Sequence, residues 1–450
     1  MPYGSLTAAR LFAAGLALSA FAAAQTTPTF TKDVAPLFYK SCANCHRPGE
    51  IAPMSLLTYE QARPWAKSIR ARVASGQMPP WQSDDPHGTF SNDRRLTDEE
   101  KSTILRWVDA GAPEGDKKAL PPAPKFVEGW EIGKPDLVVS MEKPFEVPAT
   151  GTVDYQYFSV PTNFTTDKWI QAIEVRPGAR SVVHHILVYA KDPAYAGPMQ
   201  NAYKQLVPDM SRRQRPAGAT PPPAPPPPLS PEGLRRDPGI LVGMMAPGTN
   251  PMILKPGTGM KLGAGTILTF QIHYTVNGKT PVEDRSSVGI IFAKSTPTQE
   301  IHDSFFANPT LDLPAGAADT AVPAAIQFTE DSHITQIVPH THLRGKTWED
   351  RLVYPDGRVQ TILSVPTYDF NWQTIYVFAT PLAVPKGSRI ETVAHYDNSV
   401  NNKANPDPTK EVHWGDQTWE EMQFTAFTYT VDNAPSPAAA QSTSGGGSRQ

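Results

Sequence analysis

The sequence predicts a multidomain protein: a small all-α domain followed by two all-β sandwiches of jelly-roll-like type. Three observations predict it. Residues 28–115 place apolar side chains at helical spacing behind capping signals. Beyond about residue 135 the pattern changes to short strand-like runs (KWIQAIEV, HHILVYA, TILTFQIHYTV, HITQIV, RIETVAHYD and QFTAFTYTV) separated by turn residues. A Pro-rich stretch, KKALPPAPKFVEG, divides the two regimes, and the 48 prolines of the chain favour turns and edge strands over long helices.

Residues 1–24 read as a signal peptide. Arg10 precedes the apolar run LFAAGLALSAFAAA, and the small residues Ala22, Ala23 and Ala24 set up cleavage before Gln25. The run is too short and too Ala-rich for a good membrane span. The mature chain is therefore expected to lack a membrane span and to be periplasmic or secreted. In the α domain, 25–116, Thr31 caps a helix with Val34, Leu37 and Phe38 on one face. Thr58 and Gln61 open a second helix with Ala62, Trp65, Ile69 and Val73, which stops at Gly76. Thr97 and Glu100 open a third with Ile104, Leu105, Trp107 and Val108, which stops at Gly111. Residues 117–134 form the linker, 135–295 the first sandwich and 296–434 the second. The insertion PAGATPPPAPPPPLSPEG, 216–233, reads as a polyproline II loop, and 435–450 as a disordered tail. A net charge of −3 with mixed signs argues against a nucleic-acid partner.

The chain has two cysteines, Cys42 and Cys45, so any further disulfide is excluded. With His46 they form C-x-x-C-H, the pattern for covalent haem attachment: two thioethers to the haem and an imidazole on the iron. A redox C-x-x-C would want a βαβ setting, and a zinc site would want four ligands; neither context is present. Met78, on the rigid loop SGQMPPW, is the favoured sixth ligand, with Met54 the rival and His87 a weaker one. This segment resembles class I c-type cytochromes in its early C-x-x-C-H, later Met loop and final helix. The resemblance implies a cytochrome c-like fold and one covalent haem c.

Five of the eleven histidines fall in three places. His184 and His185 are adjacent in an apolar strand. In GTILTFQIHYTVNG, Leu268, Phe270, Ile272 and Tyr274 make the apolar face and His273 lies on the other. His340 and His342 are spaced i, i+2, so they share one face of an extended segment. Imidazole suits Cu, Zn, Fe and Ni, and an added thioether, available in Met422, tilts the choice toward Cu(I).

In order along the chain, HHILVY, FQIHYT, HTHLRGK and EEM, together with APGTNPMILKPGTGMKLG, resemble motifs of the copper type II, ascorbate-dependent monooxygenases, the family of peptidylglycine α-hydroxylating and dopamine β-monooxygenases. The resemblance covers about 135–434. It implies two coppers: an electron-transfer copper on His184, His185 and His273, and an oxygen-binding copper on His340, His342 and Met422, the catalytic set. Val338, Phe424 and Ala426 stand where peptide-hydroxylating members place the Arg, Asn and Tyr that hold a substrate carboxylate, which suggests a more apolar substrate. The expected function is an exported monooxygenase that hydroxylates a C–H bond of a small-molecule or peptide substrate with O2. Electrons would come from a periplasmic donor or an ascorbate-like reductant and pass through the haem. The alternative is a periplasmic haem/copper electron-transfer or copper-binding protein without oxygenase activity. His413, close before Met422, is expected to hydrogen-bond a metal-bound ring.

Overall fold

The computed structural model describes residues 26–50, 52–191, 239–247, 249–415, 417–434 and 436–437. The expected signal peptide, the insertion 216–233 and the tail from 438 lie outside the described residues.

The expectation of a small all-α, cytochrome c-like domain is corrected by the structure. The protein is mostly β, with twenty-two strands among the described residues. Its helices are short: a π-turn at Phe30–Val34, then Ala35–Ser41, Tyr59–Ala62, Ala66–Ala74 and Asp98–Asp109. Thr97 and Glu100 form a full capping box. Thr58 accepts from the Gln61 amide, while the Gln61 side chain accepts instead from Ser55 Oγ at 2.7 Å. Thr31 caps nothing; Thr29 is the N-cap and Thr31 is buried.

The helices share one small apolar cluster around Phe30, Phe38, Ile104 and Trp107. The chain between them does not stay in that cluster. Past Pro79 it leaves the helices and lies on the second sandwich, where Trp81 and Phe90 join the β core. Phe90 bridges Phe378, Ser91 N–H bonds the Val377 carbonyl at 2.8 Å, and Asn92 bonds both Ile375 O and Val377 N. Pro79, Pro80 and Pro86 prevent continued helix here, and two large aromatics find burial only in the sandwich. The N-terminal segment is thus a helical attachment to a β protein.

In the first sandwich, a four-stranded sheet (Gln156–Pro161, Ile267–Tyr274, Val183–Lys191, Gly239–Met245) faces a six-stranded sheet built around Lys168–Arg176. Their shared core includes Ile173, Val188, Phe270 and Ile290. In the second sandwich, His302–Ala307, Phe424–Val431, Ser332–His340 and Tyr376–Val384 form one sheet; Thr320–Gln327, Arg389–Tyr396, Gly345–Val353 and Val359–Val365 form the other. Phe427, Ile337, Leu352 and Ile390 fill the space between. Gln299–Glu300 still pairs with Thr258 and Gly259, so the first sandwich runs a few residues past the expected boundary. The linker packs rather than hangs: Trp130 lies against Gly289, and Ile132 N–H bonds Glu174. No helix among the described residues is long and apolar enough to cross a membrane.

One core carboxyl gives a pH-dependent stability. Asp350 is fully buried, hydrogen-bonded by Thr392, and burial pushes its carboxyl up to about 7. An unfolded Asp titrates near ~3.9. The folded state therefore holds the proton more tightly, so the stability contributed is complete below about pH 4 and is lost as pH rises toward 7. Asp350→Asn is expected to gain about 2–3 kcal/mol on the native protein between pH 5 and pH 8. Urea unfolding at both pH values measures this; a constant difference would show that Asp350 does not titrate in the fold.

Candidate metal centres

Strand Val183–Lys191 pairs antiparallel with Ile267–Tyr274, and the register slips between Val183 and His185. The slip is a β-bulge at His184. A flat strand would send His184 and His185 to opposite faces; a bulge re-aims one of them. Both rings meet His273, the register partner of His185. The three ring centroids lie 5.1–5.3 Å apart, and one nitrogen of each falls within 4.8 Å of the others. Nδ1 of His184 is 3.1 Å from Nδ1 of His185, and Nδ1 of His273 is buried without a hydrogen-bond partner. Desolvation lowers the pKa of His184, brings that of His273 down to about 3 and holds that of His185 well below the usual range. All three rings are therefore neutral at pH 7 and offer lone pairs, the form that ligates a metal.

The second set is built on the sheet facing it. His340 ends strand Ser332–His340, and His342 follows in the turn, their rings 5.2 Å apart. His340 Nδ1 is 2.8 Å from Gln373 Oε1, and His342 Nδ1 is 3.3 Å from the Glu420 carbonyl. Both partners only accept, so each Nδ1 donates and each Nε2 keeps a lone pair. His342 Nε2 is buried with no hydrogen-bond partner. Burial lowers the His340 pKa to about 4 and holds that of His342 well below the usual range. Met422 is buried and lines one cavity of about 40 Å3 with His340, His342 and His185. Orphaned nitrogens of this kind are costly unless something takes their lone pairs. Both donor sets therefore fit a metal ion: three imidazoles in the first, two imidazoles and a thioether in the second.

Glu421 holds the second set together. Its buried carboxyl accepts from the backbone N–H of His342, of Arg344 (2.9 Å) and of Met422 (3.0 Å). Burial pushes it up to about 7. Tyr396 Oη donates to the Met422 carbonyl at 2.7 Å. Arg344 is buried with Nε on Asn398 and Nη1 on the Trp419 carbonyl. Gly345 is required next to it, because a Cβ there would meet Thr341 Oγ1 at 1.8 Å. Phe370 joins the two sets. Its ring lies 5.9, 6.3 and 6.1 Å from His184, His185 and His273, and 5.9 Å from His342. Tyr155 packs on His185 and His273 from the other side. Sequence reasoning missed Phe370, Gln373, Tyr155 and Glu421. Only Glu421 carried a signal, as the second acid of EEM.

In the C-x-x-C-H segment a single turn gathers the expected residues: Cys45 N–H and His46 N–H both bond the Cys42 carbonyl. The thiols are not joined, and burial pushes Cys42 up to about 12. His46 Nδ1 lies 3.2 Å from the Met54 carbonyl, which leaves Nε2 as its acceptor nitrogen. Two adjacent thiols and an oriented imidazole are the donor set that covalent haem requires. Met54 and Cys42 both pack on the helical cluster; Met78 is not among the residues packed there, and its N–H caps a helix at the Arg72 carbonyl. His87 pairs with Asp93 at 2.8 Å. Arg180 pairs with Glu50 at 3.1 Å, tying this turn to the chain just before His184. His413 lies with Asp312 and Glu411 rather than against a ligand ring.

No family model matches the chain, and no curated protein matches it. Among solved structures, the major capsid protein P2 of bacteriophage PM2 is similar at 10% identity and a TM-score of 0.24, over 66% of this chain and 97% of that one. Infectious bursal disease virus, Gx strain, is similar at 10% identity and a TM-score of 0.19, over 68% and 74%. Likenesses this slight carry no argument about fold or function.

Proposed function

We propose that the chain is an exported copper-dependent monooxygenase of the copper type II kind, hydroxylating a C–H bond of a small-molecule or peptide substrate with O2. The observation that supports this most is the pairing of two unlike donor sets, each with a buried imidazole nitrogen lacking a partner, on facing sheets with one aromatic ring between them. A copper store has no need of two unlike sets.

Bound copper would supply one-electron redox chemistry, with O2 reduced at the second set. His184, His185 and His273 would hold one ion through neutral rings. His340, His342 and Met422 would hold the other, and the Met422 thioether makes this the softer set, suited to Cu(I). Gln373 and the Glu420 carbonyl fix the tautomers of His340 and His342. Val338, Phe424 and Ala426 line the same cavity as His340, His342 and Met422 and would keep water from the reacting end of a substrate. Haem carried by Cys42, Cys45 and His46 would supply a one-electron carrier between an external reductant and the first set. The Glu50–Arg180 ion pair sets that turn against the segment leading into His184.

Metal analysis with a pyridine haemochrome spectrum tests the reading; one haem and two coppers per chain are expected. A zinc-only protein would overturn it. Cys42→Ala/Cys45→Ala is expected to lose haem, keep both coppers and lose turnover with a one-electron protein donor. Undiminished turnover would remove the haem from the electron path. Reoxidation of the reduced protein by O2 that yields only peroxide would favour electron transfer without oxygenase activity.

A further inference from the structure

The sheet of the second sandwich that carries His340 presents three successive cross-strand rows on one face. His340 pairs with Phe424, Val338 with Ala426, and Gln336 with Thr428. The next strand continues the rows: Phe305 opposite Ala426 and Asp303 opposite Thr428. Side chains two residues apart share a face. The opposite face holds Ile337 and Phe427 in the core. The rows on this face thus read ligand, apolar, polar, and Cα rows two strides apart lie about 13 Å from one another.

Val338, Ala426, Gln336, Thr428 and Asp303 of these rows floor a cavity of about 90 Å3 between the sandwiches, lined also by Leu241, Met244 and Arg94. Leu241, Met244, Val338 and Ala426 line both this cavity and the smaller one at His340, His342 and Met422, so the two spaces adjoin. The larger has room for roughly six to nine non-hydrogen atoms at about 10–15 Å3 each. Asp303 is the acid of the polar row. Its Oδ1 accepts from Leu241 N–H at 3.2 Å, and the carboxyl lines the cavity. Burial holds it well above the usual carboxylate range.

We propose that this cavity is the substrate site, and that it takes a compact molecule with an apolar body and an N–H or O–H head group hydrogen-bonded to Asp303. Val338, Ala426, Leu241 and Met244, which line both spaces, cover the body, which directs the far end of the molecule toward Met422 and His340. The inference rests on the proposed monooxygenase reading for what happens at that end, but not for binding. A carboxylate head has no proton to give the Asp303 carboxyl, and Arg94, which lines the same cavity, is the group it would take instead.

The test is ligand-observed NMR titration of the metal-free, full-length protein with four seven- or eight-heavy-atom probes: hexan-1-ol, hexan-1-amine, 1-methoxypentane and hexanoate. The alcohol and the amine are expected to bind about tenfold more tightly than the ether, the worth of one hydrogen bond to a buried carboxyl. Hexanoate is expected to bind independently of Asp303. Asp303→Leu should bring the alcohol, the amine and the ether to parity, and Asp303→Asn should keep the preference for the alcohol while losing that for the amine. Parity in the native protein, or a preference unchanged in Asp303→Leu with its circular dichroism intact, overturns the proposal. Copper content is read separately. A preference that depends on Asp303 in a protein that takes no copper would leave the binding site standing and remove the oxygenase reading.

Discussion

On the proposed copper reading, Glu421→Gln is expected to take the chain from two bound coppers toward one. The carboxylate accepts three backbone N–H groups, from His342, Arg344 and Met422. Those bonds bring the H-x-H turn and the methionine segment, some eighty residues apart in sequence, into one site. In the glutamine variant one oxygen still accepts, but the amide NH2 now faces an N–H, so the two segments separate. Partners that orient ligands in this way change metal affinity by about 10–100-fold when altered. The triad of His184, His185 and His273 does not touch Glu421 and should keep its ion. Competition against a Cu(I) chelator measures both affinities in one sample. Glu421→Ala would in addition orphan three buried N–H groups at about 1–3 kcal/mol each, a loss large enough to unfold a marginal domain, so the glutamine variant is the informative one. Two full-affinity coppers in Glu421→Gln would show that the ligands hold their own positions.

Much of this site was legible because histidine in an apolar strand is conspicuous. The alternation in Ile267–Tyr274 placed His273 off the core face, and the structure buries Leu268, Phe270, Ile272 and Tyr274 on the other. The adjacent pair His184–His185 demanded a break in the strand, and the register slip supplies it. Phe370 and Gln373 were not legible. They sit in a loop of the second sandwich, and their roles come from contacts that reach from 28 positions (Phe370 to His342) and 33 positions (Gln373 to His340) up to 186 positions (Phe370 to His184), which no local period encodes. The fold divides in the same way. Period-2 runs marked the strands, and Thr97 with Glu100 marked a helix start. The destination of Trp81 and Phe90 was invisible, because helical spacing says which residues want burial and not against what. Reading them as part of a self-contained helical domain was the error this produced.

Phe370 carries the second large effect. The ring is buried in the core of the second sandwich yet touches three histidines of the first set and one of the second. It is the wall between them. Phe370→Ala removes a buried aromatic and should cost about 3–5 kcal/mol, measurable by urea unfolding. Phe370→Leu keeps most of the apolar volume and should cost less, about 1–2 kcal/mol, so it separates stability from function. In both, the space left between the donor sets is bordered by four imidazoles, and a polar space of this kind takes up water. On the proposed oxygenase reading, water there would give reduced oxygen a route out before the substrate reacts. Phe370→Leu is then expected to stay folded, to hold two coppers and to consume more O2 than it forms hydroxylated product, with the two equal in the native protein. Oxygen-electrode and product measurements on the same reaction give the ratio. A ratio of unity in Phe370→Leu would mean that the ring serves the core alone and that exclusion of water is the work of Tyr155 and the walls of the cavity.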